Sequence, residues 1–225
     1  MPNVLVVIGD GASDVTKLFQ SEGWTITKDI DDADLVQFVG GADVSPSLYG
    51  QRKHETTSID ANRDEREALI YAMALERGIP MAGICRGGQF LNVMNGGKMY
   101  QDVDGHDRGD HKAYLVGAVL PIIVTSSHHQ MMQMNWEAQP EILLSASIST
   151  YRKYMSDITA PSSYQIQTYP GNNDKNRNDV EACFYPGTKC LCFQPHPEYR
   201  GGSDTKEIYF KFIEQYCLEK DRIPF

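Results

Sequence analysis

The chain has 225 residues, 41% hydrophobic and 23% charged, the composition of a globular protein able to bury a full core. With 30 acidic and 21 basic residues its formal charge is −9. That argues against a phosphate-binding surface, which needs clustered Lys and Arg, so no nucleic-acid partner is expected.

The first apolar run, "VLVVI" at Val4 to Ile8, is too short for a membrane span or the core of a signal peptide. No membrane association is expected, and a cytoplasmic protein is. "NVLVVIGDG" reads as a buried first strand ending in a glycine turn, and "SDVTKLFQSEG" as a helix with Val15, Leu18 and Phe19 on its apolar face. "WTIT" and "DLVQFVGG" read as two further strands. "DVSPSLYGQRKHETTS" reads as a loop. From Asp60 to Gly78 the residues favour a helix with an acidic start and a predicted apolar stripe of Leu69, Ala72 and Met73. "MAGIC" follows as a buried strand.

Beyond it, "AYLV", "IIVT", "ILLSAS", "DVEACFY" and "CLCFQ" are strand candidates, and residues 151 to 178 read as an exposed polar excursion. A last helix is expected from about Asp204 to Lys220, with Tyr209, Phe212, Ile213 and Tyr216 at helical spacing. The alternation of apolar runs and amphipathic segments predicts an α/β fold, a mainly parallel central sheet flanked by helices. One domain, residues 1–225, is expected.

Five cysteines at irregular spacing, with no C-x-x-C pair, fit neither a disulfide framework nor a zinc ribbon. One of them stands apart. In "GICRGG" Cys85 has the spacing of a nucleophile elbow with cysteine in place of serine. A strand precedes it and the helix-like "GQFLNVM" follows, whose N-terminal amides would favour a thiolate and could hold an oxyanion. A base is expected elsewhere. In "FQPHPEY" the prolines on either side of His196 favour extended backbone, so His196 and Glu198 would point to the same side. The order Cys85, His196, Glu198 disfavours an α/β-hydrolase, whose acid precedes its histidine.

These motifs resemble the class I glutamine amidotransferase-like family, with its elbow cysteine in G-x-C-x-G-x-Q and its late H-P-E. The branch that hydrolyses γ-glutamyl-γ-aminobutyrate is nearer still. "GGADVSPSLYG", the block "RDEREALIYAMALERGIPMAGICRGGQFLNVMNGGKMYQD", "SSHHQ" and "FQPHPEY" carry the resemblance, over roughly Val39 to Glu198. It implies a flavodoxin-like sheet and a cofactor-free hydrolase of γ-glutamyl amides. Cys85 would be the nucleophile, His196 the general base and acid, and Glu198 its orienter. The amides of Gly41 and Arg86 would form the oxyanion hole, and Gln89, His128, His129 and Gln130 would bind the substrate.

Other readings remain open at this stage. One is a glutaminase subunit passing ammonia to a separate synthase partner, and another is a catalytically silent binding module. A metal reading would enlist His106, His111, His128 and His129, whose spacings match no standard ligand set, so no metal is expected. The chain departs from the family after "HHQ". "NDVEACFYPG" keeps the glutamate, Glu181, but lacks the aspartate-glycine pair, so the leaving-group side is expected to differ.

Overall fold

A computed structural model describes residues 1–107, 109–146, 153–156, 164–167, 179–199 and 203–218. In chain order the elements are β1 (Asn3–Val6), α1 (Ala12–Ser21), β2 (Thr25–Ile26), β3 (Leu35–Phe38), α2 (Ala61–Arg77), β4 (Met81–Ile84) and α3 (Arg86–Met94). Short strands β5 (Lys98–Tyr100) and β6 (Asp102–Val103) precede β7 (His111–Leu115), β8 (Ile122–Val124), β9 (Met131–Gln133) and β10 (Glu141–Ala146). The remainder comprises β11 (Lys153–Ser156), β12 (Tyr164–Gln167), β13 (Asp179–Tyr185), β14 (Cys190–Phe193) and α4 (Ser203–Phe212), which runs on as a π-helical turn over Ile213–Leu218.

Nine strands form the central sheet in the order β2-β1-β3-β4-β14-β13-β10-β7-β8. The pairings from β2 through β14 are parallel. Those from β14 through β8 are antiparallel, so the central sheet of this α/β fold is mixed, parallel in one half and antiparallel in the other. The change of direction at β13 follows from its short connection to β14, since a tight hairpin can only join antiparallel strands.

β3, β4 and β14 are buried along their whole length, because helices cover both faces there. Alternation sorts their side chains. Leu191 and Phe193 pack with Phe19 of α1 and Tyr209 of α4. Cys190 and Cys192 face the other way, toward Tyr71 of α2 and Phe90 of α3. Burial pushes the Cys190 thiol up to about 11 and Cys192 well above its ordinary range. Both are core residues.

The second helix departs from its predicted stripe. Leu69 and Met73 are exposed, and the buried face carries Arg63, Asp64, Glu67, Tyr71 and Ala74. The first half of that face is therefore charged. The segment 43–58, expected as a loop, holds a 3₁₀ turn at Pro46–Tyr49 and a bridge from Asp43 to Ile59. The last helix ends its described course at Leu218, and its predicted end at Lys220 lies outside the described residues, as does most of the polar excursion. Among the described residues, no helix is long and apolar enough to cross a membrane.

Candidate active site

The carboxyl ends of β3, β4 and β14 lie side by side, the edge at which parallel α/β sheets carry their sites. Cys85 immediately follows β4 and precedes the first turn of α3. Its backbone sits at φ 50°, ψ −113°, a conformation that costs a non-glycine residue roughly 1–3 kcal/mol. Two bonds hold it there. The Cys85 amide donates to Phe193 O at 2.7 Å, and its carbonyl accepts from the Gln89 amide at 3.0 Å.

The glycines after the cysteine let α3 approach the sheet. A Cβ on Gly87 would meet Phe38 O at 2.5 Å, and one on Gly88 would meet Phe193 N at 2.7 Å. Only hydrogen fits in either place. The elbow is thus a point where a helix backbone packs directly on two strands, which fixes the sulfur at the helix N-terminus.

His196 follows β14. Its amide donates to Thr125 Oγ1 at 2.8 Å, and the Thr125 hydroxyl donates to the His196 carbonyl at 2.9 Å. This clamp joins the segment to the end of β8. His196 Nδ1 lies 2.7 Å from Glu198 Oε1, and the Tyr199 ring stacks on the imidazole at 4.2 Å. A Cβ placed on Gly40 would lie 3.4 Å from His196 Cε1 and 3.9 Å from Cys85 Cβ, so the two side chains flank the same glycine. Burial works against a charged His196, but the neighbouring Cys85 sulfur and the Glu198 carboxylate outweigh it, and its pKa is pushed up to about 11.

The loop after β3 forms the opposite wall. Gly41, at φ 128°, has a conformation that favours glycine. Arg63 of α2 holds the loop, donating to Val39 O and Gly40 O at 2.8 Å each and to Glu67 at 2.7 Å. Arg86 of α3 donates to Ala42 O at 3.1 Å and pairs with Asp64 and Glu67, all of them buried. The arginine after the nucleophile therefore points its side chain away from the reacting centre and braces the loop. The apolar-pattern reading missed this charged brace, and Thr125 and Tyr199 with it.

A cavity of about 240 Å³ opens over the cysteine, lined by Gly41, Asp43, Cys85, Arg86, Gln89 and the segment 127–130, among others. It is smaller than the ~300–1,000 Å³ of sites for drug-sized ligands. Gln89 Nε2 donates to Gln130 O at 3.3 Å, and Gln130 Nε2 to Thr57 Oγ1 at 3.1 Å. His129 is the half-exposed member, with Nε2 3.3 Å from Asp43 Oδ2. His128 is buried and its ring turns away, with Nδ1 2.8 Å from Gln130 O and Nε2 facing Glu181. All nine residues singled out in the sequence thus meet around one centre, seven lining the cavity and His196 with Glu198 beside the cysteine.

The peptidase C26 family profile matches residues 4–137, more than half of the chain. The chain belongs to the peptidase C26 family. A protein of Lactococcus lactis subsp. cremoris named as glutamine amidotransferase-like, the YvdE homolog, is 45% identical to it over 71 residues. That match takes in 31% of this chain and 38% of the relative, so the chain spans well under half the length of this curated relative. PurLQS of Thermotoga maritima has the same fold, with a TM-score of 0.60 at 16% identity over 95% of this chain and 98% of that one. A glutamine amidotransferase from the same organism superposes with a TM-score of 0.51 at 15% identity, over 96% and 85% of the two chains. This C26 protein is therefore class I glutamine amidotransferase-like in family and fold.

Proposed function

We propose that this protein hydrolyses a γ-glutamyl amide through a thioester on Cys85. The observation that carries the reading is the strained elbow at Cys85 beside a His196 whose Nδ1 is held at 2.7 Å by Glu198. Glu198 fixes Nδ1, which leaves Nε2 to exchange protons with the sulfur and the substrate.

The Cys85 proton passes to His196 Nε2, and the thiolate forms a C–S bond to the substrate δ-carbonyl carbon. The carbonyl oxygen becomes an oxyanion held by the amides of Gly41 and Arg86. His196 then donates its proton to the amide nitrogen as the C–N bond breaks, and ammonia or an amine leaves. Water attacks the thioester, giving one proton to His196. The C–S bond breaks, that proton returns to the sulfur, and glutamate departs. Gln89, His129 and the segment around Gln130 hold the glutamyl group, and His128 supports that wall from behind.

A small cavity with one carboxylate, Asp43, and one half-exposed imidazole, His129, suits an amino-acid head group with an α-ammonium and an α-carboxylate. The experiment that tests the reading is turnover of glutamine beside a panel of γ-glutamyl amines by the protein alone. Glutamate release from at least one of them, lost in Cys85→Ala, is the expected result. Release from glutamine only with a synthase added would favour the glutaminase-subunit reading. No release from any, with binding intact, would favour a silent binding module.

A further inference from the structure

Behind the cavity wall, four side chains from separate parts of the chain converge. His106 precedes β7, His111 opens it, His128 lies in the wall, and Glu181 is in β13. His106 Nδ1 lies 3.2 Å and His111 Nε2 3.0 Å from Glu181 Oε1. One ligand atom from each of these three residues falls within 4.8 Å of the other two. His128 Nε2 lies 3.8 Å from the second glutamate oxygen, and its ring is 4.7 Å from that of His106. The side chains of His106 and Glu181 are 0% exposed, and those of His111 and His128 only 8% and 2%.

We propose that His106, His111, His128 and Glu181 form a binding site for a divalent transition-metal ion of the zinc type. Three observations support it. First, an ion with nitrogen and oxygen ligands at ~2.0–2.2 Å in a tetrahedron sets neighbouring ligand atoms about 3.3–3.6 Å apart. His106 and His111 lie at 3.2 and 3.0 Å from Glu181 Oε1, near that spacing, and His128 stands further out, 3.8 Å from Oε2. Second, His128 Nδ1 faces the Gln130 carbonyl at 2.8 Å, so that nitrogen carries the proton and Nε2 presents a lone pair. That lone pair looks at Glu181 Oε2, also an acceptor, and among the described residues neither atom has a hydrogen-bond partner. Two buried acceptors facing each other call for a proton or a metal ion between them, and the two further imidazoles on the same carboxylate favour the metal ion.

The third observation is an outer partner. His106 Nε2 lies 3.3 Å from Asp179 Oδ2, the carboxylate–histidine arrangement that orients a metal-bound imidazole through its far nitrogen. Asp179 and Glu181 together carry two negative charges among imidazoles, which one divalent ion neutralises. The ligands also join elements that backbone pairing leaves apart, since β10 lies between β7 and β13 in the sheet. The His128 amide donates to His106 O at 3.2 Å, so the ion would tie the wall segment at 127–130 to the sheet behind it.

The test uses the full chain, stripped with a chelator and titrated with Zn²⁺ and, separately, with Co²⁺. The expected result is one equivalent bound, with the visible spectrum of four-coordinate Co²⁺. His111→Ala and Glu181→Gln weaken binding by more than about 100-fold, and Asp179→Asn weakens it by about 10- to 100-fold. Circular dichroism identifies any variant that fails to fold. If both ligand variants fail, the wild-type Co²⁺ spectrum and the Asp179→Asn titration decide. Binding unchanged in the folded variants would overturn the proposal. So would thiolate-to-Co²⁺ charge-transfer bands, which place the ion on a cysteine, or no stoichiometric binding by the wild-type chain.

Discussion

His196 Nδ1 and Glu198 Oε1 lie 2.7 Å apart, although the two residues are separated in sequence only by Pro197. The backbone here is a turn over residues 196–199, closed by the Tyr199 amide donating to the His196 carbonyl at 3.3 Å, and not the extended segment the prolines led one to expect. The turn brings the two side chains together, and Tyr199 stacks on the imidazole from one side. Glu198→Gln keeps the shape but removes the charge that selects the tautomer. It is expected to lower kcat for γ-glutamyl hydrolysis by roughly 10²- to 10⁴-fold with little change in KM. Steady-state kinetics checks this, and an unchanged kcat would remove Glu198 from the mechanism.

The pH dependence of stability follows from the same cluster. Burial disfavours a charged His196, yet Cys85 and Glu198 raise its pKa to about 11 in the folded chain, against ~6.5 for a free histidine. A raised folded-state value means the stabilisation is complete below about pH 6.5 and is lost as pH rises toward the folded value. Cys85→Ala removes one of the two groups that raise it, so the His196 pKa falls. Urea denaturation at pH 7 and pH 10 is expected to give a larger loss of stability for the wild type than for Cys85→Ala. Equal losses would show that the sulfur does not hold the imidazolium.

Arg86 tests the brace under the cavity loop. Its side chain is 2% exposed, between Asp64 and Glu67 at 4% and 1%. Removing one partner leaves buried charges uncompensated, so Arg86→Met is expected to destabilise the chain by about 3–5 kcal/mol. Denaturant unfolding measures it. A loss below about 1 kcal/mol would mean that the cluster relaxes into water.

Gly87 tests the elbow's close packing. An alanine methyl would meet the Phe38 carbonyl oxygen at 2.5 Å, and backbone cannot yield there as a flexible side chain would. Gly87→Ala is expected to cost about 1–3 kcal/mol of stability and to slow Cys85 alkylation by a glutamine-like electrophile, because the helix must shift. Wild-type stability and labelling rate together would contradict the packing argument.

The parts of this site that could be read from the sequence were those with local signals. The elbow pentapeptide marks Cys85, and the two-residue spacing in "PHPE" marks His196 with Glu198, although a turn rather than the expected extended segment brings them together. Burial of apolar residues was legible in β3, β4 and β14 as continuous runs. The charged brace was not. Arg63, Asp64 and Glu67 on a helix look like a solvated face until Arg86 and the loop carbonyls supply partners from 19 or more positions away. The stripe of Leu69 and Met73 failed for the same reason, since periodicity cannot tell which face meets a polar partner. The histidines around Glu181 resisted a spacing rule because their shared carboxylate lies 53 or more residues downstream, brought close by the order of strands.

In the proposed mechanism Cys85 alone is the nucleophile. Cys183, Cys190 and Cys192 are 0% exposed within the sheet, and Cys85 is placed at the mouth of α3 on the cavity. Peptide mass spectrometry after treatment with a glutamine-mimicking electrophile tests this most directly. One adduct per chain is expected, on Cys85, slowed by added substrate and much reduced in His196→Ala. Label spread over Cys183, Cys190 and Cys192, or an unmodified Cys85, would contradict it.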